Sequence, residues 1–145
     1  MIKYISNADG ERLSVAGSEY RILIDGKQTN GSYAVIEMNV PPGSGPAPHS
    51  HKDIQKTFFV VEGEIEFRTA DGTIQAGQGD FVSIPLGGDV HAFKNTSDQK
   101  AKLICTVMPA GLEDMFREVS IAGPEKAKEI GERRGSVYYP ANYFD

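Results

Sequence analysis

The chain has a single cysteine, Cys105, so no intrachain disulfide can form. Cys105 lies in Leu103-Ile104-Cys105-Thr106-Val107-Met108, an apolar stretch where a free thiol reads as a small buried hydrophobe rather than a nucleophile. No apolar run approaches membrane-spanning length. The segment Met1-Ile2-Lys3-Tyr4-Ile5-Ser6-Asn7 lacks the apolar core of a secretory signal, so a cytoplasmic protein is expected. Basic residues are also sparse: 15 against 20 acidic ones leave a net charge of −5. No basic stretch is long enough to follow a phosphate backbone, and the isolated pair Arg133-Arg134 reads as a solvated helix end. Neither nucleic acid nor membrane is expected as a partner. Internal repeats, linkers and low-complexity segments are missing too, and 145 residues suffice for one hydrophobic core. One domain spanning 1–145 is the expectation.

Short segments rich in β-branched and aromatic residues alternate with turn chemistry as far as residue 108. Expected strands are Glu19–Asp25, Ser32–Val40, Lys56–Val61, Glu64–Thr69, Thr73–Gln75, Asp80–Ile84, Val90–Asn95 and Ala101–Met108. The breaks Asp25-Gly26, Asn30-Gly31, Glu62-Gly63, Asp71-Gly72 and Ala76-Gly77-Gln78-Gly79 supply the positive φ that tight turns need. Many short strands at this spacing indicate an all-β sandwich or barrel, its core at about 19–108. The period then changes. Leu112, Met115, Phe116 and Val119 fall on one helical face, and Pro124 opens a second short helix reaching about Arg133. The aromatic, extended end Val137–Phe144 should pack on a surface, its own or a partner's, within an extension covering 110–145.

The only three histidines are His49, His51 and His91. On an extended strand, residues two apart point to the same face, so His49 and His51 form a half-site for a divalent transition metal such as zinc, iron, nickel or manganese. The stretch Pro41–Pro48 fixes φ repeatedly and is a stiff approach to that pair. His91 sits on a later strand with its own glycine-proline framework, Gly79-Asp80-Phe81-Val82-Ser83-Ile84-Pro85-Leu86-Gly87. Phe93 and Asn95 share its parity, as Phe58 and Val60 share that of Lys56. If these positions face inward, the metal lies above a small aromatic-lined pocket; Phe58, Phe93, Met108 and Phe116 are the expected wall.

These two patterns resemble the paired motifs of the cupin superfamily. The stretch 40–111 is similar to quercetin-dioxygenase-like single-domain cupins. The phrases that carry the likeness are Phe-Phe-Val-Val-Glu-Gly-Glu-Ile-Glu-Phe, Ala-Gly-Gln-Gly-Asp-Phe and His-Ala-Phe-Lys-Asn. The resemblance implies a double-stranded β-helix (a jelly-roll barrel) with the site inside. It also implies a metal held by two histidines and a glutamate of the first motif and one histidine of the second. By position His49, His51 and His91 carry over. The glutamate does not, because seven residues before Gly63 this chain has Lys56, and neither Gln55 nor Thr57 restores a carboxylate. The second motif departs as well: three residues, not two, separate Gly87 from His91.

An ammonium at that position repels a divalent ion where a carboxylate would attract it. Three routes relieve the conflict. Lys56 can pair with Asp53, Glu37 or Glu66; it can lose its proton on burial; or Asp53 or a bound acid can complete the metal shell. The resemblance implies a metal-dependent enzyme acting on a small organic molecule, by dioxygenase-like, isomerase or cyclase chemistry. Lys56 would then be the catalytic group, as a base or as a cationic anchor for a carboxylate or enolate. The alternative is a non-catalytic module that binds or senses a small molecule with weak metal or none. Metal-free sugar-nucleotide epimerisation would need a histidine–aspartate pair and a basic rim, neither of which can be assembled. Because such barrels are often dimers and the aromatic end suits an interface, a homodimer is expected.

Overall fold

The computed structural model of the chain describes residues 1–145. Two antiparallel sheets face each other. The first has the strands β1 (Glu11–Val15), β2 (Ser18–Ile24), β3 (Ala34–Val40), β5 (Gln55–Glu62), β8 (Phe81–Ile84) and β10 (Ala101–Met108). The second has β4 (His49–His51), β6 (Glu64–Thr69), β7 (Gly72–Gly77), β9 (His91–Lys94) and β11 (Ser136–Tyr138). Their orders are β1-β2-β3-β10-β5-β8 and β11-β4-β9-β6-β7. Between β3 and β10 the chain crosses back and forth from one sheet to the other, and this winding is the double-stranded β-helix. Helices α1 (Leu112–Ala122) and α2 (Ala127–Arg133) follow, linked by a 3-10 turn at Pro124–Lys126. No helix is long and apolar enough to cross a membrane.

Period-two alternation builds the core. On β10, Ala101, Leu103, Cys105 and Val107 are buried, and the residues between them are only partly covered. Burial pushes the Cys105 thiol up to about 12, which makes it an inert hydrophobe. On β5 the inward set is Lys56, Phe58 and Val60. Lys56 therefore points inside, as its parity with Phe58 requires. Met108 belongs to the other face of β10, so its expected place in the pocket wall is not where the strand puts it.

Helix α1 is held across one end of the barrel by groups at its start. Glu113 is buried and its carboxylate accepts from two amides, Gly111 at 2.6 Å and Gly26 at 2.7 Å, tying the helix to the β2–β3 turn. A side chain at Gly26 would run into Ala110, so glycine permits this docking. Arg117 adds ion pairs to Glu11, Asp25 and Asp114. The pair Arg133-Arg134 is an exposed helix end, as expected, and both guanidinium groups pair with Glu118.

The extended C-terminus packs on its own chain. Strand β11 pairs with β4 so that Tyr138 lies opposite His49 and Ser136 opposite His51. The Tyr139 amide donates to the Pro48 carbonyl at 3.0 Å. Gly131 lets α2 approach this strand, since a Cβ there would collide with the Tyr138 ring. Strands β1 and β11 were not legible in the sequence: each is short, and their stability comes from pairing with a neighbour rather than from their own pattern.

Candidate functional site

Strands β4 and β9 bring the histidines together. His49 and His91 are register partners, and His51 follows on the same edge. The ring centroids are 4.5 Å apart for His49 and His91, 5.0 Å for His49 and His51, and 6.2 Å for His51 and His91. All three side chains are buried. The stiff Pro41–Pro48 segment reaches β4 against the end of β9, where the Asn95 amide donates to the Ser44 carbonyl and Gly43 donates to that of Asn95. Gly45 is required there, because it combines φ of 153° with a close approach to the Phe93 carbonyl that no Cβ would allow. The Asn95 side chain, expected near the pocket by parity, bonds instead to the Val40 and Gln99 carbonyls and closes the turn after β9.

The outer nitrogens of the rings are each engaged. His49 Nδ1 lies 2.7 Å from the Ala47 carbonyl and His91 Nδ1 lies 2.9 Å from that of Asp89. A carbonyl can only accept, so both rings carry the proton on Nδ1 and direct the Nε2 lone pair inward. His51 Nδ1 is 3.0 Å from the Ser136 hydroxyl. On the inner side, His91 Nε2 is buried with no partner, and His49 Nε2 accepts from Lys56 Nζ at 3.3 Å. Burial, with the charge of Lys56 second, holds His51 down at about 2 and His91 at about 3, and lowers His49 strongly as well. Three neutral imidazoles are thus gathered at the junction of β4 and β9.

Three imidazoles are donors of the type that hold divalent transition metals, but no three potential ligands here are placed to hold one. An outer hydrogen bond to a carbonyl or hydroxyl is what orients a metal-binding imidazole, and the orphaned His91 Nε2 is a buried acceptor awaiting a partner. The rings are not closed into a ready ligand set. Imidazoles sharing one metal at about 2.1 Å place their centroids roughly 4.5–5.5 Å apart. Two of the separations meet that, and the 6.2 Å between His51 and His91 is wider by about 1 Å. Lys56 Nζ, sitting on the His49 lone pair, is the other obstacle.

Lys56 is 4% exposed and makes none of the ion pairs expected for it. Arg21 holds Glu37, Glu66 takes a hydrogen bond from Gln75, and Asp53 lies exposed. Burial alone brings the Lys56 amine down to about 8. It is thus mostly protonated at neutral pH and donates to His49.

A cavity of about 760 Å³ opens above this floor. His49, His51 and Lys56 line it, with Phe58 and Phe93 on one wall and Phe116 from α1 on another. Neither Met108 nor His91 lines it. Tyr20, Met38, Met115 and Tyr138 complete the wall without having been anticipated. Tyr20 and Met38 carried a signal, the inward parity of β2 and β3. Ser136 and Tyr138 carried none, since only the pairing of β11 with β4 brings them there.

Comparison with known proteins agrees with this architecture. The family described as the cupin domain matches residues 36–107. A quercetin 2,3-dioxygenase from Bacillus subtilis is 28% identical over 113 residues, which are 78% of this chain and 33% of that protein. The chain thus spans about a third of the curated relative it matches. Among solved structures, the polyketide cyclase RemF from Streptomyces resistomycificus superposes with a TM-score of 0.64 at 23% identity, covering 86% of this chain and 96% of that one. KdgF from a Halomonas species gives 0.67 at 16% identity, covering 77% and 99%. A sugar phosphate isomerase from Silicibacter pomeroyi gives 0.65 at 19% identity, covering 73% and 75%. The family match gives the chain a cupin domain over residues 36–107, and the superpositions agree with the winding of its strands between two sheets, the double-stranded β-helix.

Proposed function

We propose that this protein is a metal-dependent enzyme that transforms a small organic molecule inside the barrel, by dioxygenase-like or isomerase/cyclase chemistry. The observation that carries this reading is the orientation of the rings: outer nitrogens anchored, and a buried His91 Nε2 left without a partner on the inner side. His49, His51 and His91 are the ligands. A bound divalent ion would supply Lewis acidity toward a substrate oxygen. The aromatic wall excludes water and positions the substrate body. Lys56 stands where the family's motif carries a glutamate; holding its proton at neutral pH, it donates to an anionic substrate oxygen instead of abstracting a proton. To accept a metal at His49, the Lys56 ammonium must turn from the imidazole toward the cavity.

The test is calorimetry on chelator-stripped protein titrated with Zn(II), Ni(II), Mn(II) and, anaerobically, Fe(II). Binding of at least one ion, lost in His91→Phe, supports the proposal. No heat with any of them removes it. The contact between Lys56 and His49 favours one second reading, a non-catalytic cupin that binds a small molecule without metal. A protein that takes up organic ligands but no metal in that experiment follows the second reading. The proposal includes one domain over 1–145, a cytoplasmic location and a homodimer. A monomeric mass by light scattering refutes the last.

A further inference from the structure

The charge of the cavity is one-sided. No aspartate or glutamate lines it, and its only charged residues are Lys56 at the floor and Lys128 at the rim. Lys128 is already engaged by Glu132 at 3.8 Å. Lys56 is not: its ammonium has three N–H groups and a single acceptor, His49 Nε2 at 3.3 Å. A buried cation without an acid is costly and calls for an anionic partner. The walls above it are apolar and aromatic. Phe58 and Phe93 pack at 5.6 Å on one side, and Phe116 meets Tyr20 edge-on at 5.0 Å on another. Its hydroxyls belong to Ser14, Ser120, Tyr20, Tyr138 and Tyr139, and no arginine is present to fork onto a phosphate.

We infer that the ligand class of this site is an organic acid with an aromatic body, its carboxylate received by Lys56 Nζ and its ring held between Phe58, Phe93 and Phe116. This rests on the reading of the cavity as the active site, and it narrows the substrate class. Sugar phosphates fit poorly, because no arginine is present to receive the phosphate and the side chains nearest Lys56 are aromatic. Cations meet two lysines and no acid. A cavity of about 760 Å³ takes a molecule larger than a single ring.

The probes are 2-naphthoate, its neutral isostere 2-naphthamide, and acetate, titrated calorimetrically into metal-stripped protein. Stripping removes any attraction of the carboxylate to a metal, so the result is independent of whether the histidines bind one. Naphthoate should bind about tenfold or more tighter than naphthamide, the weight of one charge-assisted hydrogen bond. It should also exceed acetate by at least about tenfold, from the apolar area of the rings. Lys56→Met should erase the preference for naphthoate over naphthamide while retaining naphthamide binding. Lys56→Gln serves if the Met variant does not fold, as judged by its thermal melt. Equal affinity for naphthoate and naphthamide in the unmodified protein overturns the inference, as does a preference that survives in a folded Lys56 variant. Failure here leaves the metal titration untouched, and failure of that titration leaves this result standing.

Discussion

Replacing Lys56 by glutamate is the perturbation that addresses the chemistry most directly. Lys56 Nζ lies 3.3 Å from His49 Nε2, so any ion on that lone pair would sit within a few ångströms of the ammonium. At an effective dielectric near 20, one unit pair at about 4 Å is worth roughly 4 kcal/mol, before the ion's double charge is counted. Lys56→Glu removes that repulsion and introduces an attraction. Against this stands the desolvation of a carboxylate at a position only 4% exposed, which consumes several kcal/mol. The balance favours the ion by about 3 kcal/mol or more, an increase in metal affinity of about a hundredfold. The assay is a competition titration of stripped protein against a chromophoric chelator, comparing the unmodified chain with Lys56→Glu. Lys56→Met should fall between the two, since it removes the repulsion without adding an attraction. An affinity that stays within threefold across all three proteins would refute the placement of Lys56 at the metal position.

Ser136→Ala removes the hydroxyl that meets His51 Nδ1 at 3.0 Å, and metal affinity should drop about tenfold in the same competition assay. Arg21 and Glu37 form a buried pair, so Arg21→Met should cost about 3 kcal/mol in urea unfolding, the lower end for such a break because Asn39 still donates to Glu37. Stability should also fall with acid, for two reasons that separate by pH. Below the ordinary histidine value of 6.5 the unfolded chain takes up protons that the folded His51 and His91 refuse until about 2 and 3. Glu37, held low by its hydrogen bonds from Arg21, contributes stability above the unfolded value of 4.5 that is lost as pH falls through its folded value. Urea titrations of metal-stripped protein from pH 7.5 to 4 should therefore decline throughout, and His91→Phe should flatten the part between about 6.5 and 4.5. Phe58→Ala, at a position 1% exposed, should cost about 3–5 kcal/mol in the same unfolding assay, and a loss below 1 kcal/mol would contradict its place in the core.

Much of the fold was readable because its signals are local. The expected strand Glu64–Thr69 coincides with β6, Ala101–Met108 with β10, and Leu112 opens α1 where the helical spacing begins. Parity alone placed Lys56 inside and aligned His49 with His51. Parity also marks the one misplaced wall residue: Met108 alternates with the buried Val107 and cannot share the cavity with Phe58. The partners proposed for Lys56 could not be judged from the sequence, since Glu37 is claimed by Arg21 across the β2–β3 pair. Sequence distance carries no record of such competition.

Residue types and their spacing thus determined the barrel and the inward parity of Lys56 and Phe58, because alternation, turn chemistry and motif spacing are properties of neighbours along the chain. Tertiary structure decided the rest. It set Ser136 behind His51, laid α1 and the aromatic tail over the mouth, and left Lys56 buried without a carboxylate beside His49. Those relations join residues up to 85 positions apart. They depend on which strands pair and what burial does to a charge, and neither is written in any local stretch of sequence.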